Sequence, residues 1–357
     1  MTPEFTKVHN RFKLNNNNYT FEDLKDVGYS LIKEGLAYEK SLGNFLIDWL
    51  DNKDYLIVDT SGSTGKPKSI KLNKQAMVHS AIATGDFFKL QPGDVALHCL
   101  PTEYIAGKMM LIRAMILGLE LDLVAPTSQP IFDYDKHYDF CAMIPLQLQK
   151  TKGYCDNIKN IIVGGVAVSA SLKKAIQSSK SNVFETYGMT ETITHIAVKK
   201  INNLSKAEEK GAGVFKTLPN IIITQDERNC LIIEAPSLLD HKIVTNDVVK
   251  LHTENTFEWL GRYDNVINSG GVKLFPEQIE AKLQSKIENR FFISKQKDET
   301  LGECIILIVE GKDNTVDTSV FAGLDKFEIP KKIYSVEKFM ESDNGKILRH
   351  ETLKTLE

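Results

Sequence analysis

The sequence predicts an α/β protein with a large N-terminal domain and a small C-terminal α+β domain. Three observations carry this reading. Up to about residue 201, short β-rich apolar runs alternate with helical patterns. From there to Arg262, strand-like runs follow one another through turns without intervening helices. Beyond Arg262 a mixed unit begins, so the domains are drawn at 1–262 and 263–357, with a β-rich subdomain inside the first. A chain of 357 residues is long enough to bury a core in each.

The predicted strands begin with Tyr55–Val58, an apolar run short enough to be buried. Asn73 then reads as the N-cap of a helix reaching about Phe88, with Ala76, Met77, Ser80, Ala81, Thr84, Phe87 and Phe88 on its buried stripe. Val95–Cys99, Leu121–Val124, Phe140–Ile144, Ile161–Val163 and Asn182–Glu185 are the next strands, and Ser169 opens a helix ending near Ser179. Ile221–Thr224, Cys230–Glu234, Asp247–Leu251 and Thr256–Leu260 make up the β-rich stretch. Pro276 starts a helix with Ile279, Leu283 and Ile287 on one face, and Cys304–Val309 is a strand. Asn15–Asn18 reads as a polar loop, and Asp343-Asn344-Gly345 as a turn.

A 42% hydrophobic and 25% charged composition is that of an ordinary globular protein. The net charge of −3 offers no general attraction to nucleic acid or an anionic membrane, so any phosphate handling must be local. Five cysteines without a C-x-x-C pattern argue for reduced thiols in a cytoplasmic setting. The first residues lack the basic-then-apolar pattern of a signal peptide. Met109 to Val124, the most apolar stretch, is broken by Arg113, Glu120 and Asp122 and is not expected to span a membrane.

The most informative segment is Thr60-Ser61-Gly62-Ser63-Thr64-Gly65-Lys66-Pro67-Lys68. Glycines allow close backbone approach, while N–H groups, hydroxyls and lysines offer donors to phosphate oxygens. It is not a Walker loop, because only two residues separate its glycines and Pro67 stands where the metal-holding hydroxyl belongs. Four further segments suit a nucleotide. In Glu185-Thr186-Tyr187-Gly188-Met189-Thr190-Glu191-Thr192, the ring can stack on a base, Thr190 can reach phosphate, and Glu191 can ligate magnesium. Asp247 can accept both hydroxyls of a ribose. The others are Gly261 to Pro276 and Gly345-Lys346-Ile347-Leu348-Arg349. Taken singly, each has an ordinary reading: a solvated Lys346, a strand end at Asp247, a hairpin turn at Gly270-Gly271, a core aromatic at Tyr187.

In this order, from about residue 55 to 350, the segments resemble the adenylate-forming superfamily of acyl- and aryl-CoA ligases, peptide-synthetase adenylation domains and luciferases. The resemblance implies the adenylate-forming fold, with ATP, Mg²⁺ and CoA as cofactor and substrates. It places Thr60 to Lys68, with Thr64 catalytic, on the β- and γ-phosphates. Gly164, Gly165 and Val166 would line the adenine and acid pocket beside Thr186, Tyr187, Gly188, Met189 and Thr190. Glu191 would hold Mg²⁺, Asp247 and Arg262 the ribose, and Lys346 the carboxylate and α-phosphate. Asp264 would be the hinge on which the C-terminal domain swings, and Ser269, Gly270, Gly271 and Lys273 would border the CoA path.

The chain also departs from that pattern. Only 59 residues precede Thr60, where family members carry a much longer region. Part of the outer sheet is therefore expected to be missing, leaving the acid pocket more open or closed by a neighbouring subunit of a homo-oligomer. Glu103 and Tyr104 stand where many relatives have a histidine beside the substrate carboxylate. The short chain and its Ala106-Gly107-Lys108-Met109-Met110-Leu111-Ile112-Arg113 segment look most like compact o-succinylbenzoate–CoA ligases of menaquinone synthesis. That acid has two carboxylates. Tyr104, Ala106, Gly107, Lys108, Gly164 and His195 are the expected acid-binding residues, and Lys108, Arg113 and His195 the cationic candidates for the second carboxylate. The rival readings are an adenylation enzyme loading a carrier protein and a non-catalytic nucleotide-binding protein.

Overall fold

A computed structural model of the chain describes residues 2–59, 69–206, 213–312, 316–341 and 347–356. Among these, a thirteen-stranded sheet forms the frame. Its middle consists of parallel strands in the order Asn182–Gly188, Ile158–Val163, Tyr138–Met143, Val95–His98 and Glu120–Leu123. Successive residues point to opposite faces, and both faces are covered, as a parallel sheet requires. Ala96, Phe140, Ala142 and Ile162 join the core under the Lys74–Phe88 and Ile105–Leu117 helices. Leu97, Cys141, Ile161 and Val163 join the core on the other side, with Leu172 and Ile176.

The strands after residue 194 continue the same sheet in antiparallel pairing. His195–Lys200 pairs with Asn182–Gly188, and beyond it lie Phe215–Thr217, Thr256–Arg262, Ile243–Thr253, Cys230–Glu234 and Ile222–Gln225. A separate core around Ile196, Leu231, Ile233 and Phe257 lies beneath them. Tyr55–Asp59 and Ser69–Asn73 make a two-stranded antiparallel ribbon flanking residues 60–68, which lie outside the described residues. A second sheet holds Ile267–Ser269, Val272–Leu274, Phe291–Asp298, Gly302–Glu310 and Lys332–Val336, with the Pro276–Leu283 helix packed on it. A small apolar seam of Cys230, Val248, Val266, Leu260 and Phe275 joins the two sheets.

Several elements differ from the sequence expectation. The asparagine run is a hairpin rather than a loop: Lys13–Leu14 and Asn17–Asn18 pair across Asn15 (φ +48°) and Asn16 (φ +65°). Asparagine tolerates the positive φ that a two-residue hairpin turn demands. The helix opened by Ser169, whose side chain caps Leu172 N–H at 3.2 Å, stops at Ala175. Asn202 Nδ2 donates to Ile176 O at 3.1 Å, taking up a carbonyl at the helix end. Two N-terminal helices, Asp23–Glu34 and Ala37–Trp49, were not anticipated. Asn73 does cap its helix, accepting from Ala76 N–H at 2.9 Å. All five cysteines are buried free thiols, and no described helix is long and apolar enough to cross a membrane.

Candidate active site

The candidate residues gather at the carboxyl ends of the parallel strands, where open α/β sheets bind ligands. Gly164 and Gly165 follow the Ile158–Val163 strand, and Thr186 to Gly188 end the next one. Gly164 has no room for a side chain, since a Cβ there would lie 2.3 Å from Thr186 Oγ1. Gly188 is equally confined, 2.4 Å from Thr194 O. Val166 is exposed, and the loop behind it is fixed by Glu185, which accepts Val168 N–H at 2.9 Å. Lys173 and Lys199 lie 3.0 Å from the same buried carboxylate. Burial opposes its ionisation, but the two lysines and the Val168 N–H together hold its pKa below the usual range.

Asp247 is the meeting point of the nucleotide-side residues. Its carboxylate accepts Tyr187 OH at 2.7 Å and Trp259 Nε1–H at 3.1 Å, with Arg262 3.7 Å away. Burial and then the neighbouring Asp247 charge push the Tyr187 phenol far above its ordinary pKa, so it stays a neutral donor. Its ring is packed edge-on against Phe257 at 5.2 Å, which leaves it part of the core as well as the site wall. Arg262 also reaches Asp264 (3.5 Å), to which Asn246 donates at 3.4 Å. Arg228 lies over the Tyr263 ring at 5.0 Å and donates to Asn246 Oδ1. Thus Tyr187, Asp247, Arg262 and Asp264 form one connected group.

Glu191 sits on the single 3₁₀ turn Thr190–Thr192, exposed and without a hydrogen-bond or ion-pair partner among the described residues. One exposed, unpartnered carboxylate suits Mg²⁺, which usually takes one or two carboxylates and fills its shell with substrate phosphates and water. The remaining phosphate-loop candidates, Thr60 to Lys68, and Lys346 lie outside the described residues.

The acid-side candidates divide. Tyr104 and Ala106 are exposed at the start of the Ile105–Leu117 helix, and Gly107 is buried against Pro101 O. Lys108 donates to Thr102 O and Glu103 O and lies 5.8 Å from the Phe45 ring, with its pKa lowered by burial. His195 is not beside it. It pairs instead with Arg113, whose Nη2 is 3.4 Å from His195 Nδ1 and whose Nε donates to Thr84 Oγ1 at 3.3 Å. Arg113 is 1% exposed with no carboxylate partner among the described residues, and burial lowers its pKa to about 9. Burial, then the Arg113 charge, keeps His195 neutral. His195 Nε2 and Ser80 Oγ have no hydrogen-bond partner among the described residues, and both residues line a cavity of about 140 Å³ with His79, Asp86, Asn220 and Ser237.

Ser269 is buried, Gly270 (φ +58°) and Gly271 (φ +84°) form the two-residue turn between Ile267–Ser269 and Val272–Leu274, and Lys273 is exposed. Sequence reasoning gave no role to Trp259 or Glu185. The motif containing Glu185 was visible, but its two lysine partners come from other elements.

A family model described as AMP-binding enzyme matches residues 30–231, more than half of the chain. The chain belongs to that family, and its architecture is the adenylate-forming one. It is similar to an acyl-CoA synthetase (AMP-forming)/AMP-acid ligase II-like protein from Dyadobacter fermentans, with 34% identity and a TM-score of 0.62, covering 93% of this chain and 98% of that one. It is also similar to the 2-succinylbenzoate–CoA ligase of Bacillus cytotoxicus, 23% identical over 337 residues that cover 84% of this chain and 70% of the relative. The o-succinylbenzoate coenzyme A synthetase of Bacillus subtilis, solved with ATP and magnesium, shares the fold at 20% identity and a TM-score of 0.69 over 83% of this chain and 69% of that one.

Proposed function

We propose that this chain is an ATP-dependent, AMP-forming acid–CoA ligase acting on o-succinylbenzoate. The family membership supports the reaction class. The observation carrying the substrate is Arg113: a guanidinium buried without a carboxylate partner among the described residues asks for an anion. A second substrate carboxylate supplies one, and neutral His195 beside it leaves the positive charge on the arginine.

In the first step a substrate carboxylate oxygen attacks the α-phosphorus of ATP, and the bond to pyrophosphate breaks. Asp247 is suited to accept the ribose hydroxyls, because each of its oxygens keeps a lone pair beyond those given to Tyr187 and Trp259. Mg²⁺, held by Glu191, would supply electrostatic stabilisation to the phosphates. Lys346 would add a fixed ammonium at the reacting oxygens, an effect commonly worth about 10²–10³ in rate. In the second step the CoA thiolate attacks the acyl carbonyl, a C–S bond forms and AMP leaves. We place this chemistry in the cytoplasm, with the units 1–262 and 263–357 moving between the two steps.

A panel of acids assayed for ATP–pyrophosphate exchange and CoA-thioester formation, with a carrier protein as alternative acceptor, tests the assignment. Arg113→Met should raise the KM for o-succinylbenzoate about 10- to 100-fold, as loss of hydrogen bonds to a charged group does, and leave an analogue lacking the second carboxylate unaffected. Equal effects on both acids would remove the assignment of Arg113. Activity with carrier protein and none with CoA would replace the acceptor.

A further inference from the structure

The turn carrying Glu191 closes in an unusual way. Ile193 has φ +68° and ψ −56°, and Thr194 N–H donates to Thr192 O at 2.8 Å across it, which makes a γ-turn of positive φ. That turn is rare, and a β-branched residue in this region is a backbone outlier kept only by the structure around it. Three constraints hold it. The Ile193 side chain is 1% exposed in the core beneath the helices, and the Thr194–His195 backbone is pressed against side-chain-free Gly188.

The third constraint is Thr192, whose side chain is fully buried. Its hydroxyl accepts Met189 N–H at 3.1 Å and lies 2.8 Å from Thr194 O and 3.0 Å from Met189 O, so its single proton bonds one of these carbonyls. With its proton on Thr194 O, the nearer carbonyl, the one hydroxyl ties both ends of the loop Met189–Thr194. The residues lifted outward between the ties are Thr190 and Glu191.

We propose that Thr192 is a positioning residue: its hydroxyl fixes the strained turn that presents Glu191 to the magnesium of Mg·ATP. This rests on the ligase reading above. Thr192 touches neither ligand and acts through the loop, so its removal should affect the magnesium-dependent part of nucleotide binding and spare the rest.

The test measures ATP binding to the whole chain by calorimetry, with and without Mg²⁺, in the absence of acid. In Thr192→Val the gain in affinity on adding Mg²⁺ should shrink about tenfold, at the lower end of what loss of an outer-shell partner costs a metal site. ATP affinity without Mg²⁺ and the KM for the acid should stay within about twofold. Thr192→Ser, which keeps the hydroxyl, should restore the gain. If Thr192→Val does not fold, Thr192→Cys keeps the size and weakens the hydrogen bonds, and should show a partial loss of the same kind. An unchanged magnesium gain in a folded variant without the hydroxyl overturns the proposal, as does equal weakening with and without Mg²⁺. A wild-type chain that binds ATP indifferently to Mg²⁺ overturns the magnesium reading itself and this role with it.

Discussion

Glu185 shows how single residues set the site. Its folded-state pKa lies below the ordinary 4.5, so the native state releases this proton more readily than the unfolded chain. The stabilisation is complete above pH 4.5 and is lost as pH falls through the depressed folded value. Glu185→Gln should therefore flatten the acid limb of the stability–pH curve, measured by urea unfolding between pH 3 and 6. At pH 7 it should cost on the order of 2–3 kcal/mol, less than a wholly buried pair. Lys173 is 34% exposed and water screens its share. An acid limb as steep as wild type would refute the assignment. Such a residue is half legible: Glu185 stands in a recognisable segment, but nothing in the spacing says that residues 173 and 199 converge on it. The same holds for Arg113 and His195, 82 positions apart, whose pairing is decided by helix packing. Asp247 and Tyr187 stood out in the sequence because few residue types could serve a ribose or a base, and the structure joins the two through a 2.7 Å hydrogen bond.

Among elements, the loop after the Ile158–Val163 strand depends on one absent side chain. Gly164→Ala should destabilise the protein by about 1–3 kcal/mol, as overpacking does, and weaken ATP binding by displacing Thr186. Thr186→Ala removes the atom that the new methyl would meet, so the double variant should recover most of the stability lost by Gly164→Ala. Thermal unfolding of all four proteins in a cycle decides this, and strict additivity would mean the contact is not limiting. Strands with apolar runs, such as Ile161–Val163, were readable from sequence because burial on both faces leaves little choice of residue. Ser69–Asn73 was not, because a strand paired on one side and exposed alternates Ser, Lys and Asn with Ile and Leu. The N-terminal helices escaped for a related reason. Asp23–Glu34 buries only Leu24 and Gly28, and its start rests on reciprocal hydrogen bonds between Thr20 and Asp23.

At the scale of the whole molecule, the two larger sheets of the described residues are joined by a thin apolar seam and a few polar ties, among them Gln278 Nε2 to Trp259 O at 3.0 Å and Ala170 N to Gln284 Oε1 at 3.2 Å. If the small unit swings, Lys346→Ala should depress pyrophosphate exchange about 10²–10³-fold yet leave thioester formation from supplied acyl-adenylate near normal. Asp264→Pro, which fixes φ at the junction, should do the reverse. Both variants losing both half-reactions equally while folded would count against a swing.

The pairing of Lys13–Leu14 with Glu120–Leu121, sealed by a 2.8 Å ion pair between Lys13 and Glu120, has a consequence for how the chain is made. The partners are 107 residues apart. At about 5–20 residues per second, the first strand waits about 5–20 s after leaving the ribosome before its neighbour exists. During that interval the edge of Lys13–Leu14 that pairs with Glu120–Leu121 has no strand beside it, and the nascent chain is open to chaperones until the 120–123 strand emerges.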